Sequence, residues 1–183
     1  MTTNFKNALA TGIGTQLTVT SVTPSSPSSG SVTLAFASQG TSPFTVGQSI
    51  TVSGISVSGY NGTYTVTGCT ATTVTYANST TGAATGGTIT FCALVTNASA
   101  KTTVIGLSLS NTTPNVILGS VQLADTVAGT TAYYAYNIVI PANTSARVIN
   151  GGERLVLGPS TNVMVTSNQA ASIDLVMSWV EIS

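Results

Sequence analysis

Short runs in which a β-branched or aromatic residue alternates with a small polar one recur along the whole chain. Nowhere do apolar residues keep helical spacing over three turns. Thr, Val, Ser and Gly dominate, while Leu, Glu, Lys and Arg are scarce. A chain of this kind has little choice but to form strands. In the run TYTVT at 63–67, Tyr64 and Val66 point to one side and the threonines to the other. Turn signals arrive about every ten residues, the spacing of a β-sandwich or barrel. Strands are expected at 17–22, 32–37, 49–53, 62–67, 73–77 and 88–91. A second series is expected at 102–110, 116–124, 132–140, 146–149, 154–157, 163–167 and 173–182. The segment 4–9 is expected to hold a short helical turn. Asn61-Gly62 and Gly86-Gly87 supply residues that tolerate positive φ at tight turns. The run PSSPSSG at 24–30 reads as a loop.

Charge divides the chain. Between Lys6 and Lys101 there is no Asp, Glu, Lys, Arg or His, and charged residues make up only 4% of the whole. Ordinary soluble proteins are about a quarter charged. Residues 93–183 hold seven of the eight charges, while residues 17–92 hold none. The expected architecture is nested, with simple tandem order as the alternative. A C-terminal antiparallel β-sandwich, jelly-roll or Ig-like, is built from residues 1–16 and 93–183. A smaller β domain, 17–92, is inserted near the N-terminus, and such an insertion costs little if its ends lie close together. Within the sandwich, Ile105, Leu107 and Leu109 are expected on one face of a half-buried strand. In the last strand, Ile173, Leu175, Met177 and Trp179 line one face, with Val176, Val180 and Ile182 on the other. Apolar residues on both faces suggest a central strand or one covered by a partner.

The segments MTTNFKNALATGIGT, KTTVIGLSLSNTT and IPANTSARVINGGERLVLGPSTNVMVTSNQAASIDLVMSWVEIS resemble a family of small virion proteins of tailed phages, particularly marine and cyanobacterial ones. In that family the opening segment runs almost directly into the KTTVIGLSLSNTT-like strand, so the material between them resembles an insertion. The inserted stretch is similar to a small β module found in phage tail and capsid-associated proteins. The resemblance covers most of the chain. It implies a structural virion component and brings no catalytic residues with it.

Independent of that resemblance, the residues give catalysis little footing. With no His, the common general base and the usual triad are missing. Neither Lys6 nor Lys101 lies in a recognisable nucleophile context. Asp125, Glu153, Asp174 and Glu181 show no spacing that suggests a carboxylate pair. Gly82, Gly86 and Gly87 lack the lysine and the strand–helix context of a phosphate loop. Zero net charge gives no basis for binding nucleic acid or a membrane surface. No cofactor is expected. Cys69 and Cys92 read as small buried apolar residues, with a single disulfide as the alternative. The sequons at Asn61, Asn78, Asn97, Asn111 and Asn143 follow from an Asn-, Ser- and Thr-rich composition. The start of the chain lacks the pattern of a Sec-type signal.

What remains are candidates for contact with partners: Phe5, Leu9, Tyr133, Tyr134, Tyr136, Glu153, Arg154 and Trp179. Tyr134 and Tyr136 are expected to share a face, with Tyr133 on the other. These tyrosines read first as cross-strand packing, then as interface, and last as a sugar-stacking surface. Glu153-Arg154 reads as a polar hairpin turn, or else as one side of an inter-subunit salt bridge. The expected function is a non-enzymatic virion structural protein, a capsid decoration (cement) subunit or a neck or tail accessory. It is expected to pack in a symmetric array with copies of itself and other phage structural proteins, after synthesis in a bacterial cytoplasm. The alternative is a receptor- or glycan-binding module of a tail or fibre.

Overall fold

The computed structural model describes residues 2–25 and 30–183. Its strands are β1 (Thr3–Ile13), β2 (Leu17–Thr23), β3 (Ser31–Phe36), β4 (Ser49–Ser53), β5 (Gly62–Cys69), β6 (Thr73–Ala77) and β7 (Thr88–Val95). They continue as β8 (Lys101–Asn111), β9 (Ile117–Asp125), β10 (Thr130–Ile140), β11 (Ser145–Ile149), β12 (Leu155–Leu157), β13 (Thr161–Ser167) and β14 (Ile173–Ile182). Among the described residues, a single 3₁₀ turn at Ser58–Tyr60 interrupts an otherwise all-β chain. The chain divides into two compact units, Met1–Gly14 with Ala93–Ser183, and Thr15–Cys92. Part of the expected loop at 24–30, residues 26–29, lies outside the described residues.

The smaller unit is a closed antiparallel barrel. Its strands follow the order β7-β2-β3-β6-β5-β4, and β4 pairs back onto β7, which completes the ring. The hairpin-linked strands β4, β5 and β6 lie beside β3, which reaches β4 by a long connection, a Greek-key path. Inward-facing apolar residues fill the interior. Val32, Leu34, Phe36, Ile50, Val52, Val66, Val74, Tyr76 and Ile89 are all buried, as in small barrels whose lumen is packed with side chains. Tyr64 lies at the rim, its ring stacked on that of Tyr76 at 4.2 Å between centroids. Burial pushes the Tyr76 phenol above its ordinary range, and its hydroxyl donates to the Tyr60 carbonyl.

The missing charge in this unit is answered by paired hydroxyls. Thr33 and Thr75 meet across β3 and β6 at 2.9 Å, Thr51 and Thr63 across β4 and β5 at 3.2 Å, and Ser53 and Thr88 across β4 and β7 at 3.1 Å. Each pair satisfies a polar side chain on the sheet surface and ties neighbouring strands together. At the turns, Gly62, Gly86 and Gly87 all take positive φ as expected. Cys92 is buried and Cys69 half-buried, both as thiols.

The larger unit is a two-sheet sandwich. Its first sheet has the order β1-β14-β8, with β11 and β12 sharing the far side of β8; its second sheet contains β10-β9-β13. Ile13, Val104, Leu107, Leu109, Ile173, Leu175 and Met177 from the first sheet are buried, as are Ile117, Val121, Ile140, Val163 and Val165 from the second. Gly119 marks how tightly the layers meet. A Cβ there would lie 3.1–3.4 Å from Ile140, Ile173 and Leu109. Asn111 fastens the two sheets at one end. Its amide donates to the carbonyls of Asn115, Ile140 and Pro141, and its carbonyl accepts from Thr113. It is 3% exposed and fully used, as a buried polar group must be.

Four expectations change. The segment 4–9 is not a helical turn but part of β1, an edge strand paired antiparallel to β14 from Thr3↔Ile182 to Ile13↔Ile173. Phe5 and Leu9, four residues apart, suit a helical turn and alternate strand positions equally well; the distant pairing decides. Ile105 does not share the face of Leu107 and Leu109. Between Ser178↔Gly106 and Trp179↔Val104 the register skips Ile105, a β-bulge that turns it outward, where it is 40% exposed. Tyr133 does not take the face opposite Tyr136: the register of β10 against β9 skips Tyr134, and the rings of Tyr133 and Tyr136 meet. Finally, the Glu153-Arg154 turn is not a hairpin. Both β11 and β12 run antiparallel to β8, so they are collinear pieces of one edge strand broken by an outward loop.

Candidate functional site

The outer face of the first sheet gathers what the sandwich leaves uncovered. Cross-strand partners share a face, so the register assigns its members. Phe5 pairs with Val180 and Leu9 with Val176. Thr103 pairs with both Val180 and Val156. Phe5 and Leu9 are each 77% exposed, Val156 69% and Val176 49%. The bulged Ile105 joins them. Soluble monomers rarely leave so contiguous an apolar patch open unless it has a use.

Two grooves cut into this face. The larger, about 500 Å³, is lined by Phe5, Thr103, Ile105, Val180, Ile182 and the loop residues Gly152, Glu153 and Arg154. The smaller, about 260 Å³, runs past Ile105, Gly106, Ser108, Arg147, Gly151, Val176 and Ser178. Ile105 and the loop between β11 and β12 border both. The loop spans the break between Ile149↔Leu107 and Leu155↔Val104 in the pairing with β8. Its own hydrogen bonds fix it: the Glu153 amide donates to the Asn150 carbonyl at 3.1 Å, and the Asn150 amide donates to Glu153 Oε2. Gly152 supplies the positive φ of 100° that the loop requires. The result is an apolar floor with one acidic and one basic side chain at its rim.

The structure thus brings Phe5, Glu153 and Arg154 around one groove and sets Leu9 on the same face. It does not bring Trp179 there. Trp179 is 8% exposed and lies on the inner side, where its indole Nε1 donates to Glu181 Oε1 at 3.0 Å. Lys6, also inward, closes on the other oxygen at 2.6 Å. These two hydrogen bonds, Lys6 first, hold the Glu181 carboxyl below its ordinary range. The tyrosines form a separate place on β10. The bulge at Tyr134 leaves Tyr133 and Tyr136 in edge-to-face contact at 4.5 Å, 53% and 63% exposed. Sequence reasoning missed Ile105 and Val156 as members of the face. Val176 and Val180 were visible as apolar residues on the second side of the last strand.

The other carboxylates serve local structure. Asp174 accepts from the Gly12 amide at 3.0 Å and pins the irregular end of β1. Asp125 accepts from the amides of Val127 and Ala128 and shapes a turn. Among the described residues, no three His, Cys, Asp or Glu side chains converge to hold a metal, and no helix is long and apolar enough to cross a membrane. Comparison of the chain with protein-family models, curated proteins and solved structures finds no match.

Proposed function

We propose that this protein is a non-enzymatic phage virion structural subunit, a capsid decoration or neck or tail accessory that packs in a symmetric array. The observation that carries the reading is the open apolar face of the sandwich. Leaving Phe5 and Leu9 in water forgoes about 1.5–3 kcal/mol for each side chain that could be buried. In a domain stable by only about 5–15 kcal/mol, that is a large sacrifice unless a partner recovers it. The same face has no His, no carboxylate pair and a rim of only a few charges, so its chemistry is that of adhesion. The closed, hydroxyl-paved barrel adds bulk without charge, and long-range repulsion between neighbouring copies is correspondingly small. Mass spectrometry of purified particles is the test. The chain should be present in many copies per virion, and its absence overturns the reading.

A second reading, a glycan- or receptor-binding module, draws on the exposed Tyr133–Tyr136 pair. Aromatic faces stack on sugar rings. A glycan array probed with the soluble protein separates the two, since binding lost on Tyr136→Ala would favour the module.

A further inference from the structure

We infer that the outer face of the first sheet is a homotypic interface, in which two copies of this chain pair face to face about a two-fold axis. The inference deepens the structural-subunit reading and rests on it.

A two-fold interface must be complementary to itself, so each side must offer both the projections and the hollows. This face does. Phe5 and Leu9 project from edge strand β1, each 77% exposed. The grooves run over β14 and β8 toward the loop between β11 and β12, with Phe5 forming one wall of the larger. Turning one copy over a second by a two-fold rotation sets the β1 projections of each above the grooves of the other.

Charge points the same way. A face that sought nucleic acid or an acidic protein would carry a basic field, and a face for a basic partner an acidic one. Here Glu153 and Arg154 stand side by side at the larger groove and Arg147 borders the smaller. A surface with both signs at its rim and apolar residues at its centre finds its complement in a surface like itself. The pattern of apolar centre and polar rim is that of stable interfaces generally. The chain's zero net charge leaves no global repulsion to overcome.

The experiment is sedimentation velocity on the full-length protein, from about 1 to 100 µM, a range that reveals interfaces of micromolar affinity. The expected result is a concentration-dependent monomer–dimer equilibrium. Leu9→Asp weakens the dimer at least tenfold, and Phe5→Ser weakens it too. Both positions are open to solvent, so the melting temperature of the monomer is unchanged. Glu153→Arg weakens dimerisation, and adding Arg154→Glu, which restores one charge of each sign, recovers it. Tyr136→Ser on the other sheet leaves it untouched. A protein that stays monomeric at 100 µM overturns the inference, as does a dimer indifferent to Leu9→Asp and Phe5→Ser or one dissociated by Tyr136→Ser alone. Failure here is distinct from failure of the virion reading. A monomer found in purified particles removes the homotypic interface only, whereas a dimer absent from particles removes the virion role only.

Discussion

Glu181 shows how a chain with so few charges uses one. Its carboxylate receives Lys6 from β1 at 2.6 Å and the Trp179 indole at 3.0 Å, on a residue only 8% exposed. Lys6 is itself half open, with 46% of its side chain exposed, while the glutamate side is 10% exposed, so solvent screens the ion pair and trims its worth. Glu181→Gln should therefore destabilise the larger unit by about 1 kcal/mol. The pH dependence follows from the direction of the shift. A carboxyl held below its unfolded value adds stability that is full above the ordinary glutamate range. That stability is lost as pH falls through the lower, folded value. Acid titration of the wild type should show this loss, and Glu181→Gln should flatten it. Trp179 is the sole tryptophan, so its fluorescence reads the contact directly. An acid profile unchanged by the substitution would remove Glu181 from that role.

Among the elements, Gly87 at the entry to β7 carries the sharpest steric constraint in the barrel. Its φ is +97°, its carbonyl accepts from the Val19 amide at 2.9 Å, and a Cβ there would meet Ile55 and come within 3.0 Å of the Ser53 carbonyl. Gly87→Ala combines backbone strain with a clash against main chain and should cost about 1–3 kcal/mol, read as a lower melting temperature. Equal stability would show that the β4–β7 closure yields more readily than its geometry implies. Gly62, Gly86 and Gly87 were legible because turn chemistry is local, and the strands were legible because alternation is local. Bulges were not. One extra residue inverts every later side chain of a strand, and nothing in VIGLSL or AYYAY announces which residue is extra. That single blindness misplaced Ile105 and regrouped the tyrosines, and it hid the groove whose floor Ile105 forms. β1 escaped for a different reason: its partner strand lies at the opposite end of the sequence. For the same face, Phe5 and Leu9 could be singled out as apolar residues in a polar opening. Their meeting with Val180 and Val176 depended on that distant pairing. Trp179, named as a partner candidate, is drawn inside by its place in the alternating row of Ile173, Leu175 and Met177.

Across the whole molecule, each compact unit, Met1–Gly14 with Ala93–Ser183 and Thr15–Cys92, buries a set of apolar residues of its own. Replacing 15–92 by a short Gly-Ser linker should leave a folded sandwich, seen as retained strand signal in circular dichroism and cooperative melting. It should also leave self-association intact, because every residue of the proposed interface belongs to the larger unit. A sandwich that unfolds when 15–92 are removed would show that the units depend on one another for stability. The ring formed by β7-β2-β3-β6-β5-β4 has one more consequence. A stretch rich in Val, Thr and Tyr, with no charge to act as a gatekeeper, is the composition from which cross-β fibrils grow. Held at high local density among identical copies, such a stretch would template its neighbours through any bare strand. Because each of its strands already has a neighbour on both sides, the barrel offers fibril growth no bare strand to start from.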